Sequence, residues 1–199
     1  MGTPFINFLG PTDLHGYNRH APATQQPDNI PKTFLDAMEV REQVFVEEQK
    51  VPIENEFDSD DHRACHWVIY ASVNTVTDPE VKDSEGNLIS RKKSVTRSTP
   101  IGTIRLVPFP HPPHPEPNSR YTADALETGS RMEKMKTEIG GDLGVWKGLV
   151  CVHAQKQVEK TWAKWGFKLD EEMGTWQEEG LEHVGMFTRL ELQTRTGSG

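Results

Sequence analysis

Apolar residues along this chain gather into short clusters separated by polar stretches, and the spacing inside each cluster predicts its element. Pro4–Leu9 (PFINFL) is a brief apolar run that reads as a first strand. Gly10–Asn29 carries Pro11, Gly16, Pro22 and Pro27 and reads as loop. Beyond it Phe34, Ala37, Met38, Val44 and Phe45 recur at helical spacing, with Arg41 as the polar exception on that face, so a helix is predicted over 33–48. Asn29 and Pro31 suit its start, and Pro52 cannot continue it. Residues 52–63 (PIENEFDSDDHR) form an acidic turn. The β-rich run His66–Val73 (HWVIYASV) predicts a strand, and Ile101–Val107 (IGTIRLV) predicts a second. Asn74–Thr99 between them is polar and reads as a long flexible connection.

Prolines at 108, 110, 112, 113, 115 and 117 favour an extended polyproline conformation and forbid a central strand there. Tyr121–Glu138 is helix-compatible and is broken by Gly140-Gly141. Trp146–His153 predicts a third strand, Gln155–Trp165 a helix closed by Gly166, and 167–169 and 183–192 two final strands. Helices interspersed with strands define an α/β (α+β) fold. The predicted organisation is an N-terminal strand and loop over 1–30 and one domain over 31–192. Within that domain 74–99 is a flexible insertion and 108–120 a Pro-rich loop. Residues 193–199 are a disordered tail.

Composition narrows the function classes. The chain has 199 residues and a net charge of −8, without the basic footprint that nucleic acid requires, so no nucleic-acid partner is expected. No window approaches the roughly 20 apolar residues of a membrane span, and the N-terminus has no secretory pattern. A cytoplasmic protein is therefore expected. The two cysteines, Cys65 and Cys151, belong to no CxxC pair and are expected to be reduced thiols in apolar surroundings. His111 and His114 offer only weak ligation from the proline run, so no metal is expected.

Two segments carry a family resemblance. In Val40–Tyr70 the residues Arg41, Val44-Phe45-Val46, Glu47-Glu48-Gln49, Val51-Pro52, Glu56-Phe57-Asp58, Asp61 and His66 stand in one long ordered pattern. In Leu149–Leu192 a strand, a helix ending in Gly166-Phe167, and His183-Val184-Gly185-Met186 follow in order. The strand Ile101–Val107 adds Ile-Gly-x-Ile-Arg-Leu. This pattern resembles the GNAT superfamily of acyl-CoA N-acyltransferases, in particular its ElaA-like branch in fungal-type members with long loops. The resemblance implies a mixed central sheet flanked by helices. It also implies transfer of an acetyl group from acetyl-CoA, as cosubstrate, to an amine on a small molecule or a protein. The superfamily's glycine-rich pyrophosphate turn has no counterpart here. Ile139–Gly144 is glycine-rich but carries Asp142, and residues 121–145 are too few for a strand, that turn and its helix. The usual central strand and its following helix are thus expected to be missing, and no cofactor-binding residue can be assigned.

The resemblance places Glu47, Glu48 and His183 as candidate catalytic groups, since amine acylation needs a base near the ammonium. It places Glu56, His66, Trp162 and Trp165 as candidate substrate-binding residues. Trp162 stands where many of these enzymes carry a tyrosine acid. Each has a structural counter-reading: a solvated helix end for Glu47 and Glu48, a hydrogen-bonded turn for Glu56, buried strand histidines for His66 and His183, and core or pocket walls for the tryptophans. Two functions remain open: an acetyl-CoA-dependent N-acetyltransferase, and a catalytically inactive binding module or truncated gene product of the same ancestry.

Overall fold

The computed structural model describes residues 4–91, 93–108, 114–121 and 146–192. The chain divides into two compact units, 1–109 and 110–199. The expected helix within 121–138 and the glycine-rich 139–144 lie outside the described residues apart from Tyr121, as does part of the proline run.

The first unit is built on strands β1 (Phe5–Leu9), β2 (Cys65–Asp78), β3 (Val81–Lys82), β4 (Leu88–Ser90) and β5 (Lys93–Leu106) and on helix α1 (Lys32–Arg41). β1, β2 and β5 form an antiparallel sheet with β2 in the centre. β2 alternates as its sequence predicts: Ala64, His66, Val68 and Tyr70 are buried, and Cys65, Trp67 and Ile69 between them are less so. The opposite sheet face leaves Ile6, Phe8 and Ile104 exposed. Pro100, which has no N–H to give, sits where the β2–β5 register shifts between Ile69 and Tyr70, as a bulge permits.

Residues 74–99 are not an unstructured connection. β2 and β5 continue as a paired ribbon out to Asp78 and Lys93, topped by the β3–β4 hairpin. The alternating Thr and Val residues of Val73–Thr77 and Val95–Thr99 suit a two-sided polar ribbon, which a reading by hydrophobicity takes for loop.

α1 begins after Pro31, whose extended backbone accepts the amides of Phe34 and Leu35. It buries Ala37 against Val68 and Tyr70. Phe34 and Met38 pack with Leu14 and Ile30, flanked by Leu9, Tyr17 and Phe57. The predicted 33–48 helix is one continuous run, but its second half, Glu42–Glu48, is π-helical. There the Gln49 amide reaches back five residues to the Val44 carbonyl. Lys50, with φ of 65°, ends the run ahead of Pro52.

The second unit holds β6 (Arg120–Tyr121), β7 (Leu149–Gln155), α2 (Glu159–Lys164), β8 (Lys168–Leu169), β9 (Thr175–Glu178) and β10 (Leu181–Arg189). β10 is antiparallel to β7, β8 and β9, and β6 lies parallel to β9, which makes this sheet mixed. Gly166, at φ of 86°, terminates the α2 run as expected. β9 is an addition to the sequence-based reading. It joins β10 through Glu179-Gly180, both at positive φ, a two-residue turn of the kind that matches strand twist. Val184, Met186 and Ala154 face Val152, Trp162 and Phe167. The α+β class is therefore the observed one. Among the described residues no helix is long and apolar enough to cross a membrane.

Candidate functional site

The residues that carry the sequence pattern in the first unit converge on one buried ionic network. Arg41 leaves the last turn of α1 and pairs through Nε with Glu56, while its Nη2 donates to the Glu56 backbone carbonyl. Its Nη1 lies 2.6 Å from Asp61. Arg105 on β5 donates to the same Asp61 at 2.8 Å and to both carboxylate oxygens of Asp58. Asp61 also accepts the Asp58 amide at 3.0 Å, so the acidic turn folds back on its own side chains. Burial pushes the Glu56 carboxyl above its usual range, and Arg41 only partly offsets it. Burial also opposes ionisation of Asp58, but Arg105 outweighs it and holds Asp58 below its ordinary value. Glu56 is thus a buried ion-pair partner.

His66 is likewise internal. Its Nε2 lies 2.9 Å from the Asp61 carbonyl oxygen, the geometry of an Nε2–H donor. Its Nδ1 is buried without a hydrogen-bond partner among the described residues. Its ring stands edge-on to Phe34. At 1 % exposure it is packed inside the unit. Burial lowers its pKa below the ordinary 6.5. The unfolded chain therefore takes up this proton first as pH falls, and the contribution of His66 is complete above 6.5 and lost below it. The unfolding free energy should decline as pH drops below 6.5, and His66→Gln should flatten that part of the profile. Denaturant titrations of the two proteins across this window check it.

Glu47 and Glu48 are exposed on the π-helical turn. The group that the sequence did not single out is Glu42, at the start of the same turn and half-buried. Its carboxyl is pushed up by burial first and then by the charge of Glu47, five residues on. Five residues is the hydrogen-bond step of a π-helix, so this backbone turns the two side chains nearer to one face than an α-helix would. The Tyr17 phenol partly offsets the rise at Glu42. Burial and Glu42 raise the Tyr17 phenol to about 12, so it stays protonated. A carboxyl of raised pKa, a carboxylate whose charge raises it and a protonated phenol together can accept a proton from an ammonium group and hold that cation.

In the second unit His183 is largely buried, with Nδ1 2.9 Å from the Leu181 carbonyl and its ring stacked on Trp176. It and the glutamates belong to different units. Trp162 packs edge-on against Phe167 as a core wall, whereas Trp165 is 77 % exposed. The face of β7 that carries Cys151 and His153 meets His114: the His114 Nδ1 and His153 Nε2 are 2.6 Å apart. The sulfur of Cys151 and one nitrogen of each imidazole all lie within 4.8 Å of one another. Burial, followed by Asp170, pushes the Cys151 thiol up to about 12. No metal is expected from the sequence, and β7 and the segment before β6 bring together residues 39 apart that could hold one. Cys65 and Cys151 are free thiols, as expected, each only half-buried.

In the run Arg91–Lys93, Arg91 is exposed and Lys93 lies 3.5 Å from Asp78, as solvated ribbon charges do.

No protein-family profile and no curated protein match the chain. A solved acyl-CoA N-acyltransferase from Pseudomonas aeruginosa aligns with 80 % of this chain and 92 % of its own length at 18 % identity, with a TM-score of 0.38.

Proposed function

We propose that this chain is an acyl-CoA N-acyltransferase of the GNAT type, which moves an acetyl group from acetyl-CoA to an amine in the cytoplasm. The observation that supports this reading is the ordered pattern from Arg41 to His66 with Arg105. Side chains spread over more than sixty positions of the chain assemble into one network that locks α1, the acidic turn, β2 and β5 together. That network fixes the base of the helix run whose continuation carries Glu42, Glu47 and Glu48.

In this mechanism Glu47 attracts the acceptor ammonium and Glu42 takes its proton. The free amine attacks the thioester carbonyl, the C–N bond forms, the C–S bond breaks, and the second nitrogen proton passes to the departing sulfur, so CoA leaves as its thiol. A thiol of ordinary acidity, near about 8.5, needs no strong acid to leave, so the absence of a tyrosine at Trp162 does not block the step. Glu56, His66 and His183 take no direct part.

A second reading, a non-catalytic module of the same ancestry, is favoured by one observation: residues 121–145 are too few to encode the pyrophosphate-binding strand, turn and helix. Turnover separates the two. The purified chain is incubated with acetyl-CoA and a panel of primary amines, and free CoA thiol is measured. Amine-dependent thiol release is the result expected of the enzyme. Release no faster than in buffer with every amine supports the second reading.

A further inference from the structure

We propose that His114, Cys151 and His153 form a zinc-binding site in the second unit. All three ligands suit that ion: imidazole nitrogen and thiolate sulfur together select a borderline-soft divalent metal, whereas calcium and magnesium take oxygen. Strand alternation explains the pair on β7, since Cys151 and His153 are two residues apart and share a face. His114, buried in the segment that precedes β6, closes on them from outside the strand.

The spacing is that of a site close to its loaded geometry. Tetrahedral zinc, with bonds of about 2.0–2.1 Å to nitrogen and about 2.3 Å to sulfur, sets N···N at roughly 3.3 Å and N···S at roughly 3.5 Å. The three donor atoms already lie within 4.8 Å of each other, and the two nitrogens stand at 2.6 Å, the distance of one imidazole N–H donating to the other ring. Loading shifts that proton to the far nitrogen of its ring, releases the Cys151 thiol proton to solvent, and moves the rings apart by less than about 1 Å. The surroundings support the ligands. The Trp176 ring stands edge-on to His153 at 5.0 Å, and Phe187, opposite Cys151 on β10, approaches His114 at 6.1 Å. An apolar collar of this kind limits solvent and strengthens metal–ligand bonds. Three protein ligands leave one coordination position for water or a small ligand.

Cobalt(II) is the probe, because a thiolate bound to it absorbs by charge transfer and a tetrahedral site gives intense visible bands. The untagged 199-residue protein with Cys65→Ser has Cys151 as its sole thiol. After chelator treatment it should develop the thiolate–cobalt band, saturating at one ion per chain, and zinc should abolish the band by displacement. His114→Asn should weaken cobalt binding by at least about tenfold, the loss typical even of a supporting partner. In the parent sequence, Cys151→Ser should remove the band although Cys65 remains. Absence of a saturable band in the Cys65→Ser protein overturns the proposal, as does a band that persists in Cys151→Ser. Should Cys151→Ser fail to fold by circular dichroism, the Cys65→Ser titration decides alone.

Discussion

Replacing Arg41 by Ala should lower the stability of the first unit by about 3–5 kcal/mol, the usual cost of removing one partner of a buried ion pair. Arg41 is 8 % exposed, and its guanidinium serves Glu56 twice, through side chain and carbonyl, and Asp61 once. Asp61 keeps Arg105 when Arg41 is lost. Among the described residues Glu56 keeps no ion pair, only the weaker pull of Arg105, and burial already raises its pKa. The truncation therefore strands a buried carboxyl and a backbone carbonyl together. Native-state hydrogen exchange at the β2 amides reads the loss in this unit alone. Glu56→Gln placed in the same background should recover part of it by removing the stranded charge. A loss below about 1 kcal/mol, the worth of a surface pair, would show that the network is solvated and that its burial is misassigned.

The second large effect concerns Glu42. If it is the base, Glu42→Gln should lower kcat by about 10²–10⁴-fold, the range general-base catalysis contributes. The substitution keeps the shape and hydrogen-bonding capacity of the side chain, so folding should be little affected. Because burial and Glu47 raise the carboxyl pKa, activity in the parent protein should fall as Glu42 becomes protonated on the acid side. Glu47→Gln, which removes the neighbouring charge, should move that acid limb to lower pH. An unchanged limb in Glu47→Gln, or full activity in Glu42→Gln, assigns the base elsewhere.

Period-two burial made β2 readable from HWVIY, and helical spacing of Phe34, Ala37 and Met38 made α1 readable. The π-helical half was not readable, because Val44 and Phe45 satisfy an α-helical pattern equally well and the five-residue hydrogen bond leaves no mark in composition. Glu42 was overlooked for the same reason: its turn toward the face of Glu47 depends on the π-helical backbone. β9 was hidden by its Glu179-Gly180 turn, which lacks the usual Asn-Gly or Asp-Gly sequence. The ionic residues were legible as a pattern but not as a role. Acidic side chains on a turn look like a binding surface until two arginines from separate elements are seen to cover them. His114, Cys151 and His153 follow no metal-binding spacing, and their association comes from a strand face meeting a distant segment.

The account stands most directly on whether this chain binds acetyl-CoA. A ligand that binds only the folded state raises the melting temperature, with about 2.7 kcal/mol of added stability at a hundredfold excess over Kd. Titration of the purified 199-residue protein with acetyl-CoA should raise its melting temperature progressively to such a limit. A melting temperature that stays constant up to about millimolar acetyl-CoA, where even weak binding of about −4 kcal/mol would register, contradicts the acyltransferase reading.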